Sequence, residues 1–149
     1  MTSLLTDQEI AGLLERITPL AERAGAEIMT FYKGDMDVRT KSDSSPVTAA
    51  DEAAEKIIIA ELRDITPDLP IVAEEEMAGG KSVDVSGGVF WLVDPLDGTK
   101  EFVAHRDEFT VNIALVEHGA PVLGVVSAPA LDVVYTGSVS YTHLRAHET

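Results

Sequence analysis

The stretch from Trp91 to Phe102 carries the residues of this chain that are best suited to chemistry. Asp94 and Asp97 lie within it, directly after an apolar run from Val89 to Val93. A short run rich in aromatic and β-branched residues is typical of a buried strand, and the Asp-Pro and Asp-Gly pairs indicate that it ends abruptly there. Two carboxylates at the exit of one strand can face a single point, and divalent cations such as Mg²⁺ prefer oxygen ligands of this kind. The stretch therefore predicts a metal site.

A second acidic cluster supports this prediction. Glu74 to Glu76 follow another short apolar run, Ile71 to Ala73. Taken alone, the residues from Asp94 to Gly98 are also compatible with an ordinary turn, because Asp, Gly and Pro are common in turns for reasons of backbone geometry. Two strands that both end in acids indicate one shared site.

The sequence does not match three known motifs that bind calcium or phosphate groups. A calcium-binding EF-hand loop that begins at Asp94 would need oxygen-bearing side chains at Leu96 and Gly98. A loop that begins at Asp97 would need glycine where Phe102 stands. A phosphatase with an Asp-x-Asp nucleophile loop would need an acid at Leu96, and the glycine-rich Gly-x-x-x-x-Gly-Lys phosphate loop is absent.

The composition restricts the classes of function. With 149 residues, 45% of them hydrophobic, the chain is expected to form one globular domain. Its formal net charge of −15 argues against binding nucleic acid through a basic patch, and it would repel a phosphate ester unless metal ions intervene. The absence of cysteine excludes disulfides and thiolate metal sites. No segment resembles a transmembrane span or a signal peptide, so a cytoplasmic location is expected.

Two helices are predicted ahead of the acidic stretches. Apolar residues recur at three- and four-residue steps from Thr6 to Tyr32, with Thr6 and Glu9 as a capping box and Pro19 as a point where the helix bends or splits. A second helix is predicted from Thr48 to Leu62 or Arg63. Asp51 lies in its first turn, where an acid favours the helix dipole and completes a capping box with Thr48.

The remainder of the chain is predicted to form an antiparallel sheet. Strand-like runs from Phe109 to Glu117 and from Pro121 to Ala128 are joined by a short glycine-containing turn, and a third run covers Asp132 to Thr136. His105, in the loop after Phe102, is interpreted as a solvated residue rather than a ligand. The sequence thus predicts an α+β domain in which two N-terminal helices pack on an antiparallel sheet.

Taken together, these motifs resemble the inositol monophosphatase superfamily of magnesium-dependent, lithium-sensitive phosphatases. The resemblance rests on Glu74-Glu75, on Asp94 to Thr99 and on Ser45 to Asp51, and it spans roughly residues 21–135. The long forms of the motifs, together with Glu108 to Leu115, are similar to the 3'(2'),5'-bisphosphate nucleotidase branch. The resemblance implies the N-terminal portion of the layered sugar-phosphatase fold and hydrolysis of adenosine 3',5'-bisphosphate to AMP and phosphate, a step of sulfur metabolism. Inositol phosphates and sugar phosphates stay open as substrates.

The resemblance also implies the metal ligands. At least two Mg²⁺ ions are expected. One lies among Glu74, Asp94 and the carbonyl oxygen of Leu96, and the second lies between Asp94 and Asp97. Asp94 then bridges the two ions.

Catalytic and substrate-binding roles follow from the same resemblance. Asp51 and Thr99 polarise and aim the attacking water, and Glu74 completes the catalytic set. Lys41 lies on a loop that closes over the metals. Backbone N–H groups at Gly98 and Thr99 point at the phosphate, and glycine leaves that approach open. The implied substrate-binding set is Lys41, Leu96, Asp97, Gly98 and Thr99.

The resemblance covers only the N-terminal half of the family's chain. Residues 1–137 are expected to form the metal-binding domain, whereas the C-terminal domain, with a further metal-binding Asp and much of the nucleoside pocket, is expected to be absent. Residues 138–149 resemble translated adaptor sequence and are predicted to be a non-native tail without a strand. An inactive fragment with weak cation binding, or a regulatory partner of a full-length homologue, stays an alternative.

The expected partner is a small phosphorylated nucleotide, with no nucleic acid and no transmembrane segment. By resemblance, peripheral attachment at the inner membrane is an alternative to a wholly cytoplasmic location. The oligomeric state is left open by the sequence.

Overall fold

Two long helices and one six-stranded sheet make up the part of the chain that the computed structural model describes, residues 5–32, 46–73, 84–139 and 141–148. A short helix joins the second strand to the third, and a 3₁₀ helix at Pro129–Leu131 joins the fourth to the fifth. The elements are α1 (Asp7–Tyr32), α2 (Pro46–Ile65), β1 (Ile71–Ala73), β2 (Val89–Asp97), α3 (Thr99–Val103), β3 (Thr110–Glu117), β4 (Ala120–Ala128), β5 (Val133–Ser138) and β6 (Tyr141–Glu148).

The strands follow one another across the sheet in chain order, from β1 at one edge to β6 at the other. The prediction of an α+β domain with two helices packed on a sheet is confirmed. The sheet is mixed rather than wholly antiparallel, because β1 and β2 run parallel while the other four neighbouring pairs run antiparallel. Parallel neighbours need a crossover connection, which a simple meander does not contain.

Helix α1 forms as its local signals predict. The backbone N–H of Thr6 donates to Oε1 of Glu9 at 2.9 Å, and the N–H of Glu9 donates to Oγ1 of Thr6 at 3.0 Å, which completes the capping box. Pro19 neither splits nor ends the helix. Pro19 lies on the exposed side, as does Glu15, so the Glu15 carbonyl that loses its donor remains accessible to water.

Helix α2 begins two residues earlier than predicted. Its first residue is Pro46, which suits that position because its fixed φ is helical and the N–H it lacks would have had no partner there. Thr48 therefore lies inside the first turn, and the prediction that it caps the helix is wrong. Asp51 lies beyond the first turn, which contains no acid.

The core lies between the two helices and one face of the sheet. Helix α1 crosses β3, β4 and β5, and α2 crosses β2. Along β2, Trp91 and Val93 are buried in this core, whereas Leu92 between them is 47% exposed. Val126 and Tyr135 are exposed on the same side as Leu92. This second side, lined by Leu92, Asn112, Val126 and Tyr135, is called the open sheet face below, and a groove of about 690 Å³ runs along it.

Strand β2 continues past the end that the sequence predicted. It reaches Asp97 instead of stopping near Val93, and its register with β3 shifts between Asp94 and Asp97. Pro95 lies inside the shifted segment. Proline has no N–H for the ladder, and such irregular positions are where strands tolerate it. An Asp-Pro pair therefore marks a bulge here rather than a strand end.

Strand β6 was not predicted. The backbone of Tyr141–Glu148 pairs with β5, so the expectation of no strand in residues 138–149 is wrong. Edge pairing uses backbone groups and requires no apolar pattern. The non-native origin of this tail stays a prediction. Among the described residues, no helix has both the length and the apolar character that a membrane crossing requires.

Candidate active site

The bulge of β2, Gly98 and helix α3 bring five of the predicted site residues into one continuous segment. Asp94 is half-buried, Leu96 is only 2% exposed, and Asp97 and Thr99 are exposed. Asp94 lines the groove on the open sheet face, and Asp97, beyond the register shift, lines a separate cleft beside the turn. The segment thus presents two carboxylates and a hydroxyl beside the first turn of α3.

Gly98 closes the turn between β2 and α3. Its φ of 95° and ψ of 45° are left-handed, a conformation that costs other residues free energy. A Cβ at this position would lie 3.2 Å from Cα of Phe109 and 3.3 Å from the carbonyl oxygen of Glu108. The sequence analysis explained this glycine by the approach of a phosphate. The structure provides two further reasons, backbone conformation and contact with the chain before β3.

Asn112 on β3 connects the two aspartates. It is the partner of Asp94 across the β2–β3 ladder, and its Nδ2 donates to Oδ2 of Asp97 at 3.1 Å. The sequence analysis missed this residue. The available signal was a single amide within the otherwise apolar alternation of the strand, from Val111 to Val116.

A cleft of about 400 Å³ opens beside this segment. Carboxylates dominate its lining, which concentrates negative potential and favours cations. Among the described residues, no three histidine or acidic side chains form a group that could hold a metal ion. The lining residues are Asp97, Gly98, Glu101, Glu108 and Thr110.

Asp51 lies on α2, the helix that packs on β2 and touches α3. It is only 7% exposed, and Glu55 one turn later is 9% exposed. A buried carboxylate is costly unless partners or ions compensate its charge. The sequence analysis selected Asp51 but not Glu55, because both lie in an apolar helical pattern and only the first belongs to a recognised motif.

Two predicted site residues, Lys41 and Glu74, lie outside the described residues. Strand β1, however, ends next to the segment of β2 that carries Asp94. Its last residue, Ala73, pairs in parallel with Val93, the residue immediately before Asp94. The chain therefore leaves β1 beside the point where β2 presents its first aspartate.

An aromatic cluster holds the loop after α3 against α1. The ring of Tyr32 lies 5.3 Å from that of Phe102 and 4.7 Å from that of Phe109. His105 is exposed, as predicted for a solvated residue, but it also stacks on Tyr32 at 4.8 Å. The Tyr32 hydroxyl donates to Oδ1 of Asp107 at 2.8 Å. Burial, this hydrogen bond and the Asp107 charge raise the pKa of Tyr32 to about 12.

Residues 11–142 match the model of the inositol monophosphatase family. The chain belongs to this family. It is 51% identical over 128 residues to the 3'(2'),5'-bisphosphate nucleotidase CysQ of Escherichia coli, a match that covers 85% of this chain and 52% of the relative. It is 52% identical over 125 residues to CysQ of Salmonella typhimurium, covering 83% and 50%.

Solved structures of the inositol monophosphatase family have the same fold. CysQ from Bacteroides thetaiotaomicron is 32% identical, with a TM-score of 0.77 over 93% of this chain and 49% of that one. An extragenic suppressor protein SuhB from Bartonella henselae is 28% identical, with a TM-score of 0.74 over 91% and 51%. The chain spans about half the length of the relatives it matches.

The donor chemistry of the site fits a hard divalent cation. Carboxylate oxygens of Asp94 and Asp97 are the ligand type that Mg²⁺ selects, and the described part of the site contains no cysteine or histidine that would favour a softer metal. The amide of Asn112 adds no positive charge that would compete with an ion. In this family member, the described half of the site is therefore suited to a hard divalent cation.

Proposed function

We propose that this chain provides the metal- and phosphate-binding half of a Mg²⁺-dependent phosphatase. Its substrate is adenosine 3',5'-bisphosphate, which is hydrolysed to AMP and phosphate, and its location is the cytoplasm. One observation carries the proposal: Ala73, the last residue of β1, pairs in parallel with Val93, so β1 ends beside the segment of β2 that carries Asp94 and Asp97. The nucleotide substrate is supported by the 51% identity to a relative named 3'(2'),5'-bisphosphate nucleotidase.

Four residues would hold the cations. The carboxylates of Glu74, Asp94 and Asp97 and the backbone carbonyl of Leu96 form this set. The net charge of −15 makes such ions necessary, because an uncompensated site would repel a substrate with two phosphate groups. When bound, the ions supply Lewis acidity toward the phosphoryl oxygens and lower the pKa of water.

Asp51 and Thr99 act on the attacking water. Thr99 is the first residue of α3, and Asp51 lies on α2, which contacts α3. Both residues therefore lie on helices next to the turn at Gly98. The hydroxyl donates to the carboxylate and accepts a hydrogen bond from the water, which orients the water oxygen. The new bond joins that oxygen to phosphorus while the bond from phosphorus to the ribose 3'-oxygen breaks. One proton of the attacking water stays on the phosphate product and the other is released to solvent, while the 3'-oxygen takes up a proton from solvent and leaves as a hydroxyl of AMP.

Backbone and side-chain donors hold the phosphate. The N–H groups of Gly98 and Thr99 and the ammonium group of Lys41 serve this purpose in the proposal. Positioning of this kind contributes to rate because the donors are in place before charge develops in the transition state.

The test uses the chain alone and the chain co-expressed with the C-terminal half of Escherichia coli CysQ. Phosphate release is measured with Mg²⁺ and with excess EDTA, from adenosine 3',5'-bisphosphate, inositol 1-phosphate and fructose 1,6-bisphosphate. We expect Mg²⁺-dependent release from the nucleotide by the completed pair, and little or none from the chain alone. Preference for inositol or sugar phosphate would contradict the nucleotide assignment, and comparable rates without the second half would contradict the placement of the site.

Asp94→Asn supplies the residue-level test in the same pair. Loss of an outer-shell partner of a metal already costs about 10–100-fold in affinity or activity, so loss of a direct ligand should cost at least that much. Asp68→Asn, the same chemical change in an exposed turn, serves as the matched control and should keep the original rate. Near-normal phosphate release by Asp94→Asn would contradict the hypothesis that Asp94 binds two cations.

A further inference from the structure

Asn112 lies between the two aspartates of the site, and the sequence predicted no role for it. Opposed residues of an antiparallel ladder share a face, and the ladder pairs Asp94 with Asn112 and Asn112 with Val126. The amide therefore stands on the open sheet face, next to the carboxylate of one aspartate. Its hydrogen bond of 3.1 Å reaches the other, Asp97.

The orientation of this amide is determined by its partner. An ionised carboxylate only accepts hydrogen bonds, so the NH₂ end of Asn112 must face Oδ2 of Asp97. Its Oδ1 then points the other way. That oxygen is buried and accepts no hydrogen bond from any part of the chain that the structure describes.

Such an arrangement opposes stability in an otherwise apolar strand. Burying an amide oxygen without a donor destabilises the folded state, and a β-branched residue would suit β3 better. Val126, the partner of Asn112 on the neighbouring strand, shows that a β-branched residue is accommodated in this row of the sheet. The amide is therefore better explained by its action on Asp97 than by packing.

The chemistry of the contact fits a metal ligand that must be held still. A hydrogen bond to Oδ2 restricts rotation of the Asp97 carboxylate and leaves its Oδ1 for a cation. A lysine or arginine could also donate, but its charge would compete with the ion. A neutral donor orients the ligand and leaves its negative charge available.

We propose that Asn112 is a positioning residue that fixes the Asp97 carboxylate for a divalent cation. This inference rests on the proposed function for the identity of Asp97 as a ligand. It concerns cation binding and is independent of which phosphate ester is hydrolysed.

Mn²⁺ is the probe, because the electron paramagnetic resonance signal of the free ion reports binding directly. The 149-residue chain is titrated as wild type, Asn112→Leu, Asn112→Ala and Val126→Leu, and each variant is also melted without metal. Leucine keeps the branching at Cγ and the number of heavy atoms of the amide side chain but donates no hydrogen bond. We expect Asn112→Leu and Asn112→Ala to raise the Kd for Mn²⁺ by about 10-fold or more, with the melting temperature of Asn112→Leu at or above that of wild type. Val126→Leu should keep the wild-type Kd.

A wild-type Kd in either Asn112 variant would overturn the inference. So would a loss of melting temperature in Asn112→Leu that accompanies the loss of affinity, since that result would indicate a structural role. Absence of Mn²⁺ binding by the wild-type chain would overturn it as well. Mn²⁺ binding that depends on Asn112, combined with no phosphate release by the pair completed with the CysQ half, would support the inference and count against the proposed function alone.

Discussion

Gly98 and Phe109 are so close that a side chain at position 98 would make an unusually tight contact with the backbone of Phe109. A Cβ on Gly98 would approach the Cα of Phe109 to 3.2 Å, and that atom cannot yield easily because the Phe109 side chain is fully buried. Its ring packs edge-on against Tyr32 at 4.7 Å. The turn that presents Asp97 and Thr99 is therefore fixed from both sides, by the left-handed backbone of Gly98 and by the core beneath it.

Replacement of this glycine should be costly. Gly98→Ala combines a left-handed conformation, which costs about 1–2 kcal/mol, with overpacking, which typically costs about 1–3 kcal/mol. We expect a loss of about 2–5 kcal/mol in the free energy of unfolding, measured by urea denaturation and circular dichroism. Gly119→Ala is the matched control, because Gly119 has a φ of 84° but no atom within 4 Å of the added carbon. Equal losses in the two variants would show that the contact with Phe109 contributes nothing.

The N–H group of the buried Trp91 indole has the hydroxyl of Thr66 as its hydrogen-bond acceptor. Its Nε1 donates to Oγ1 of Thr66 at 2.8 Å, and that hydroxyl donates in turn to the carbonyl of Leu62 at 2.8 Å. Thr66→Val keeps the shape but leaves the indole N–H without an acceptor. We expect a loss of about 1–3 kcal/mol in the free energy of unfolding. Trp91 is the single tryptophan of the chain, so its fluorescence spectrum should change as well.

Thr66→Ser is the control for that experiment. Serine keeps the hydroxyl, so the fluorescence spectrum should resemble that of wild type and the stability loss should be smaller than in Thr66→Val. If serine and valine behaved alike, the hydrogen bond to Trp91 would not be the cause.

Alkaline pH should weaken the contact between α1 and the loop after α3. The pKa of Tyr32 rises from 10.0 to about 12 in the folded chain, first through burial and then through Asp107. Because the folded state holds this proton more tightly, its stabilising effect is complete below pH 10 and is lost as the pH rises toward 12. Urea denaturation at pH 9 and pH 11 should show a larger loss of unfolding free energy in wild type than in Tyr32→Phe.

Asp107→Asn tests the cause of that shift. Removal of the negative charge should lower the pKa of Tyr32 toward its ordinary value, although burial remains. The alkaline loss should then begin and end at a lower pH than in wild type. An unchanged profile would mean that Asp107 does not act on the tyrosine in solution.

Local signals in the sequence predicted local structure well. The boundaries of α1 lie within one residue of the predicted ones, because the capping box and the apolar periodicity are both properties of short windows. The Asp-Gly pair likewise indicated a turn at Gly98, although the strand before it ends at Asp97 and not near Val93 as predicted. The association of Gly98 with the site stays a prediction, and its contact with Phe109, which the sequence did not predict, depends on the path of the chain before β3.

Features that depend on strand pairing were not predictable in this way. The parallel pairing of Ala73 with Val93 and the bond from Asn112 to Asp97 arise only once the register is set. Pro95 was interpreted as a strand end because its missing N–H is a local fact, whereas the bulge that accommodates it is a property of two strands. The sequence of β6 contains no hydrophobic alternation that would predict its pairing with β5 at the edge of the sheet.

The packing of α1 has a consequence for synthesis on the ribosome. Gly25 of this helix lies so close to Pro129 that an added Cβ would come within 3.0 Å of it, and the proline is made more than one hundred residues later. At about 5–20 residues per second, the apolar side of α1 waits on the order of 5–20 s for its sheet. Helix α2 is synthesised early in that interval, whereas β3, β4 and β5, the strands that α1 contacts in the described part of the chain, follow only from Thr110 onward. The nascent chain therefore exposes a ready binding surface for chaperones until β4 emerges, and docking of α1 is expected to be a late event in folding.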